Sequence, residues 1–403
     1  MSNRIISKKA DTFIKVILFF ISPFISFLYS LRNIKSNSSY IVFFLFAVFF
    51  GMAFTIPENY KGDAIFYQLR FIWSTGYDYT DFKLLLHDYF EFSDKGKDIY
   101  SDTISFLVSR ISDNYHLLFC IFAAIFAFFM LKSFRFLTRE QALDNSFISF
   151  LLTLIFILSN FIFNINGVRF WTASWIAVYS IFQIFKNNDK RYFLLACVTP
   201  LIHVSFFAFI VVLVISYITK KYDKFWIFMF LISFLVSNIA ANLVSSLGDY
   251  LPGFMSNTVS RYTNADYMTQ RVDELVMYVK IIYFIQKLIF NLVILLFVIN
   301  RKLILSSTAK NLYSFLIIWV TFVNITISIP SFGGRFLILS LPIITYIWLV
   351  TFKNNLQYKT ILYLFVIAFS YNFFQQIRGF FQVTEIYFYI FNPFYLIYNY
   401  LLT

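Results

Sequence analysis

Apolar residues run through this chain in blocks of roughly 17 to 22, separated by short charged islands, and a helix needs about 20 such residues to cross about 30 Å of hydrocarbon. The blocks lack the strict polar alternation of membrane β-barrel strands. Lipid offers no partner to unpaired backbone groups, so helices remain. The pattern predicts spans at residues 40–56, 115–131, 146–165, 168–185, 225–244, 278–299, 312–329, 336–352, 360–376 and 384–402. The expected fold is all-α: a polytopic transmembrane helix bundle of about 10–12 spans. With no internal repeat or linker, 1–403 reads as a single integral membrane domain.

Two stretches do not fit a simple count. Residues 192–218 are too short for two full helices and carry Pro200 near their middle, yet basic islands flank both ends. Basic flanks belong on the cytoplasmic side, so the stretch predicts a re-entrant hairpin turning near His203. Residues 13–31 hold Lys15, Pro23 and three serines between basic flanks, which leaves spanning, re-entry and an interfacial position open. No small-residue cleavage site follows them, so they are expected to be retained.

Composition sharpens this picture. Charged residues are 13% of the chain and the mean hydropathy is +0.73, against about 25% charged in a soluble domain, so a water-soluble fold is excluded. The net charge of +13 marks cytoplasmic loops and not a nucleic-acid partner. The islands Lys132–Arg139, Lys186–Arg191, Lys220–Lys224 and Arg301–Lys310 fit that role. Two large hydrophilic loops, 57–114 and 245–277, then fall on the outer side, and the first holds ten acidic residues against six Lys and Arg. Within it Ile104, Leu107, Val108 and Ile111 have helical spacing, predicting an amphipathic surface helix over 101–112. Cys120 and Cys197 both lie in apolar runs and read as small core residues, not a disulfide.

The chain has no glycine-rich phosphate loop, no Gly-x-Ser-x-Gly elbow and no Cys or His cluster with metal spacing. Its informative residues are arginines on the outer face, Arg169, Arg261, Arg271, Arg335 and Arg378, where the positive-inside tendency disfavours them. A guanidinium forks onto phosphate oxygens, although a snorkelling arginine is the bland alternative for each. Arg169 sits in the tight turn Asn166-Gly167-Val168-Arg169, and Arg335 follows the glycine-rich Pro330-Ser331-Phe332-Gly333-Gly334. Such glycines allow the backbone to approach a ligand closely. His203 is the only ionisable side chain between Tyr192 and Tyr217, and an imidazole in lipid requires a partner. Asp63, just past the span ending near Ile56, puts a carboxylate at the outer boundary, with a helix cap as its alternative role. Several cations, a carboxylate and an imidazole at headgroup depth are what a lipid-linked pyrophosphate requires.

Three signatures resemble the EpsG family of polysaccharide-biosynthesis membrane proteins, related in role to the Wzy O-antigen and capsule polymerases. They are Gly62-Asp63 with Tyr67, then Asn166 and Arg169 opening a helix with Ala173, then Ile202-His203-Val204-Ser205. Phe170 stands where a Gln commonly follows the arginine, and Ile202 replaces the usual aromatic residue. The resemblance covers roughly residues 40–220. The C-terminal half is similar in topology alone, so Arg335 and Arg378 rest on position.

The resemblance implies a polysaccharide polymerase, a multi-pass protein of the bacterial inner (cytoplasmic) membrane. It would transfer a glycan from undecaprenyl pyrophosphate to the terminal sugar of another lipid-linked repeat unit at the outer face. Expected partners are the undecaprenyl-pyrophosphate-linked oligosaccharide, membrane lipid and, by analogy, a chain-length regulator protein. Arg169, helped by Arg335 or Arg261, is expected to stabilise charge on the pyrophosphate, and Asp63 or His203 to act as general base. Asn166, Tyr67, Arg261, Arg335 and Arg378 are the expected substrate-binding set. Neither outer loop has an Asp-x-Asp pair, so no metal and no cofactor is expected. The alternatives are a lipid-linked oligosaccharide flippase, with cations in a central cavity, a membrane O-acyltransferase using His203, and a scaffold protein.

Overall fold

The computed structural model describes residues 8–57, 62–94, 98–248, 250–329 and 331–402; side chains at 237–243, 247, 265, 271, 272 and 356 lie outside it. The basic start before Lys8, Pro330 and the Arg271 side chain therefore lie outside the described residues.

Among the described residues the chain is helical throughout, in the order α1 Lys8–Ile21, α2 Pro23–Ser30, α3 Asn37–Met52, α4 Ala64–Thr75, α5 Tyr79–Phe90, α6 Ile99–Ser109, α7 Tyr115–Thr138, α8 Phe147–Ser159, α9 Val168–Ile181, α10 Tyr192–Ala196, α11 Thr199–Ile202, α12 Phe206–Thr219, α13 Asp223–Gly248, α14 Gly253–Thr263, α15 Ala265–Asp273, α16 Met277–Ile299, α17 Arg301–Leu305, α18 Lys310–Thr326, α19 Gly333–Thr351 and α20 Lys359–Gln382. Each of the first nine expected spans falls on one of these helices. Among the described residues, five helical segments are long and apolar enough to cross a membrane by length and composition: Tyr115–Thr138, Phe147–Lys186, Met277–Ile299, Gly333–Thr351 and Lys359–Gln382. Several start where a polar residue precedes an apolar run: Ser36 Oγ accepts from Ser39 N at 3.1 Å, and Asn114 Oδ1 from His116 N at 2.9 Å.

The tenth expected span is not a helix. Residues 384–402 break into Ile386–Ile390, Pro393–Ile397 and a π-turn over Tyr398–Leu402. Phe391 and Asn392 are extended, and Asn392 caps the turn that Pro393 opens. Hydropathy does not register this break, because its residues remain apolar or aromatic on both sides.

The re-entrant hairpin holds. α10 with α11, and α12 after them, are each shorter than a span, and the rings of Phe193 and Tyr217, near the two ends, sit 5.2 Å apart. The turn comes at His203, in extended conformation at φ −154°, and not at Pro200, which is tolerated in the first turn of α11. Residues 13–31 also fold back. α1 and α2, of 14 and 8 residues, meet at a break at Ser22 and pack on each other, α2 also on α3. Lys15 is buried there, donating to Asp11 at 2.5 Å, Ser36 at 2.9 Å and Ser38 at 3.1 Å.

Packing in the bundle depends on close approach and internal polar contacts. A Cβ at Gly51 would come within 2.4 Å of Phe119 O, which is how closely α3 runs along α7. Asn324 Nδ2 donates to Asn291 Oδ1 at 2.9 Å and Ser233 Oγ at 3.2 Å, joining α18, α16 and α13. Such contacts hold membrane helices together where no hydrophobic drive exists between them.

The hydrophilic loops are themselves folded, as α4–α6 and as α14–α15. The surface helix expected over 101–112 is α6, but its apolar face divides. Val108 is buried, whereas Leu107 and Ile111 are exposed; the side packed inward carries Ser101, Ser105 and Phe106 as well. Cys120 is half-buried and Cys197 exposed, both free, so Cys197 is not the core residue its apolar run suggested.

Candidate functional site

α9 opens the site. Before it, α8 ends at Ser159 and a 3₁₀ turn over Ile162–Gly167 reverses the chain, so Arg169 lies in the first turn of α9. Its guanidinium is held on two sides: Nη1 donates to Asp98 Oδ2 at 2.9 Å, and Nε donates to the Tyr67 hydroxyl at 3.2 Å.

Around it is a cleft of about 300 Å³ lined by Asp63, Tyr67, Gly167, Arg169, Phe170, Trp171, His203, Arg261, Tyr262, Tyr267, Ser331 and Arg335. Six of the eight expected site residues are thereby brought together: Asp63, Tyr67, Arg169, His203, Arg261 and Arg335. Arg335 lies 5.3 Å over the Phe170 ring, and His203 meets the same ring edge-on at 5.3 Å. Phe170 is thus the platform between two site groups. The first turns of α4, α9 and α19 all border this cleft, and each brings the positive end of a helix dipole. Such termini, with three arginines, suit an anionic ligand.

The other two expected residues stand elsewhere. Asn166 Oδ1 accepts from the Ala64 amide at 3.2 Å, so it takes the capping role that had been the alternative for Asp63. Asp63, at the N-cap position of α4, makes no side-chain cap bond and is exposed in the cleft. Arg378 is exposed on α20 and does not line the cleft; its neighbour Gly379 packs against Phe163, where a Cβ would meet the ring at 2.4 Å. Gly333 serves packing, since a Cβ there would lie 2.4 Å from Thr326 O, whereas Gly334 faces open space. Ser331, in the same turn, has a φ of 62°, the left-handed region that costs a serine of order 1 kcal/mol or more.

Asp98 was not legible as a site residue. Its carboxylate is 6% exposed; Oδ2 pairs with Arg169 and Oδ1 accepts from Val204 N at 2.9 Å. One side chain therefore ties Arg169 to the hairpin turn that carries His203. Burial pushes the Asp98 carboxyl up, opposed first by Arg169, then by the Val204 amide and Arg70. In sequence it is one of ten acids in its loop, and no spacing separates it from the rest.

His203 is oriented by its neighbour. The Ser205 amide donates to Nδ1 at 3.3 Å and the Ser205 hydroxyl lies 2.7 Å from the same atom. An amide N–H can only donate, so these bonds assign the neutral ring its proton on Nε2.

The fold is that of a polytopic α-helical membrane protein, and its cleft gathers Arg169, Arg261 and Arg335 with Asp63 and His203. The chain belongs to the EpsG family, which matches residues 63–391. The match runs well beyond residue 220 and takes in Arg261 and Arg335. No curated protein and no solved structure matches the chain. Family membership supports a membrane polysaccharide-polymerase type of function, glycosyltransferase-like in chemistry. Among the described residues no group of three or more His, Cys, Asp or Glu is placed to hold a metal ion.

Proposed function

We propose that the cleft transfers a growing glycan from undecaprenyl pyrophosphate to a terminal hydroxyl of another lipid-linked repeat unit, at the outer face of the bacterial inner membrane. The observation that carries this reading is the meeting of Arg169, Arg261 and Arg335 with three helix N-termini and a carboxylate, Asp63, that has no ion-pair partner among the described residues, in one cleft. Sidedness follows from charge. Lys132, Arg135, Arg139 and Lys186 line a separate cleft, and α9 with its π-turn carries the chain from Arg169 to Lys186, about 26 Å at 1.5 Å per residue.

In the reaction the bond from the donor sugar's anomeric carbon to the pyrophosphate oxygen breaks, and its electron pair leaves with the lipid pyrophosphate. The acceptor oxygen forms the new bond to that carbon, and its proton passes to the base. Arg169 and Arg335 stabilise the negative charge gathering on the leaving group. Asp63 is the base: its carboxylate is open to the cleft, whereas the lone pair of His203 faces Ser205. His203 instead presents Nε2–H as a donor to a phosphate or sugar oxygen.

Two substitutions separate these roles in cells lacking the wild-type chain, read as the surface polysaccharide ladder with protein level checked. Asp63→Asn is expected to reduce polymerisation by about 10²–10⁴-fold, the contribution of a positioned base, while single repeat units still reach the surface. His203→Gln, which keeps an N–H donor, should retain more activity. Full activity of Asp63→Asn with none in His203→Gln would reverse the assignment. Absence of any external repeat unit would favour a flippase, and a normal ladder lacking acyl groups an acyltransferase. Transfer in membrane preparations is expected to continue in excess chelator, with loss of product there counting against a metal-independent reaction.

A further inference from the structure

α4 and α6 run parallel, and the transfer cleft lies at their N-terminal ends. Tyr67 and Asp98 share Arg169; about one turn on, Arg70 Nη1 pairs with Asp102 Oδ1 at 3.3 Å; a turn beyond, Ser109 Oγ donates to Ser74 O at 3.2 Å and Arg110 Nη2 to the same oxygen at 2.8 Å. α5 closes over this pair through Phe82, stacked on Phe106 of α6 at 4.4 Å. Between the three helices is a second cleft, of about 180 Å³, which none of the roles assigned so far uses.

Its lining mixes ring and chain surface, from Tyr77, Phe82 and Leu86, with Asp88, Asp102 and Ser105. Among the described residues its one cation, Arg70, is already paired with Asp102, which does not suit a phosphate. Ser105 is 2% exposed and its hydroxyl has no hydrogen-bond partner among the described residues. A buried hydroxyl left unpaired is destabilising, and a bound polar ligand supplies the missing partner. Aromatic faces stack on the C–H faces of pyranose rings, and carboxylates accept from vicinal hydroxyls.

We propose that this cleft is a saccharide-binding subsite, holding a neutral sugar of the glycan whose reacting end lies in the transfer cleft. The proposal rests on the transfer reading for what the sugar is attached to. The cationic cleft takes the pyrophosphate and the acidic one the sugar, and α4 and α6 set the distance between them.

The test uses the purified full chain in detergent with two probes: oligosaccharides released by mild acid from the cells' own surface polysaccharide, and inorganic pyrophosphate. Tyr77→Ala and Asp88→Asn are each expected to weaken oligosaccharide binding at least about tenfold, a loss of roughly 1.4 kcal/mol, and to leave pyrophosphate binding unchanged. Tyr77→Phe, which keeps the ring, should bind nearly as wild type, so a fold defect would be visible as loss in both aromatic variants and for both probes. Arg169→Ala should lose pyrophosphate and keep the oligosaccharide. The subsite is overturned if wild type does not bind the oligosaccharide, or if Tyr77→Ala and Asp88→Asn bind it as wild type does. Normal polymerisation by Arg169→Ala would overturn the transfer reading alone, leaving the saccharide site to its own binding result.

Discussion

Arg169→Ala is expected to abolish the polysaccharide ladder while single repeat units continue to appear outside. Removing one preorganised donor to a developing anion costs about 10²–10³-fold in rate, and this guanidinium is the group that the other cleft residues orient. Arg169→Lys should recover little, because a point charge cannot reach both the Tyr67 hydroxyl and Asp98 Oδ2 while still facing a ligand. The measurement is the ladder at matched protein level, together with single-turnover transfer in membranes. A normal ladder from Arg169→Ala at normal abundance would remove the cleft from the reaction. The ion pair complicates one result: without Arg169 the buried carboxylate of Asp98 is uncompensated, so Asp98→Asn in the same background should restore any lost abundance without restoring polymer.

Asp98 itself gives the second large effect. Asp98→Ala leaves Arg169 unpaired and the Val204 amide without its acceptor, and breaking a buried pair in this way costs about 3–5 kcal/mol. Both polymer and protein level should fall. Asp98→Asn keeps an acceptor for Val204 N and removes only the charge, so protein level should stay near wild type while turnover drops. Asp98 is a positioning residue, and a pH profile distinguishes that role from a packing role. Burial raises its carboxyl, so as pH falls its charge is lost sooner than that of a free aspartate. Asp98→Asn should therefore move the acid limb of activity to lower pH, leaving only the limb set by protonation of the base. An unchanged acid limb in Asp98→Asn would show that the charge of Asp98 does not govern Arg169.

How much was legible in the sequence varies by residue. Tyr67 was readable only through the signature it shares with Gly62 and Asp63, whereas Arg169 and His203 were readable because an ionisable group beside or within apolar runs stands out against its surroundings. Arg378 was readable in the same way and yet stands apart from the cleft, since an outer-face position says nothing about which helices neighbour it. Asn166 belonged to the right motif, but its amide caps α4. Asp98 was hidden in an acidic loop, where nine other carboxylates have the same local appearance.

The amino-acid sequence alone determined the solvent and the architecture: spans measured against bilayer thickness, a hairpin at 192–218 forced by its length and basic flanks, and basic islands gathered between apolar runs. These follow from local quantities, hydropathy and charge summed over short windows. Only the tertiary structure decided that the last apolar run is broken, that α4 and α6 lie parallel, that Asp98 joins Arg169 to Val204, and that Ser205 turns the lone pair of His203 away from the cleft. The Asp98 link and the α4–α6 pairing depend on contacts between segments up to about a hundred residues apart, which leave no period or composition for a sequence window to detect; the break at Asn392 and the Ser205–His203 contact are local, but hydropathy and charge do not register them.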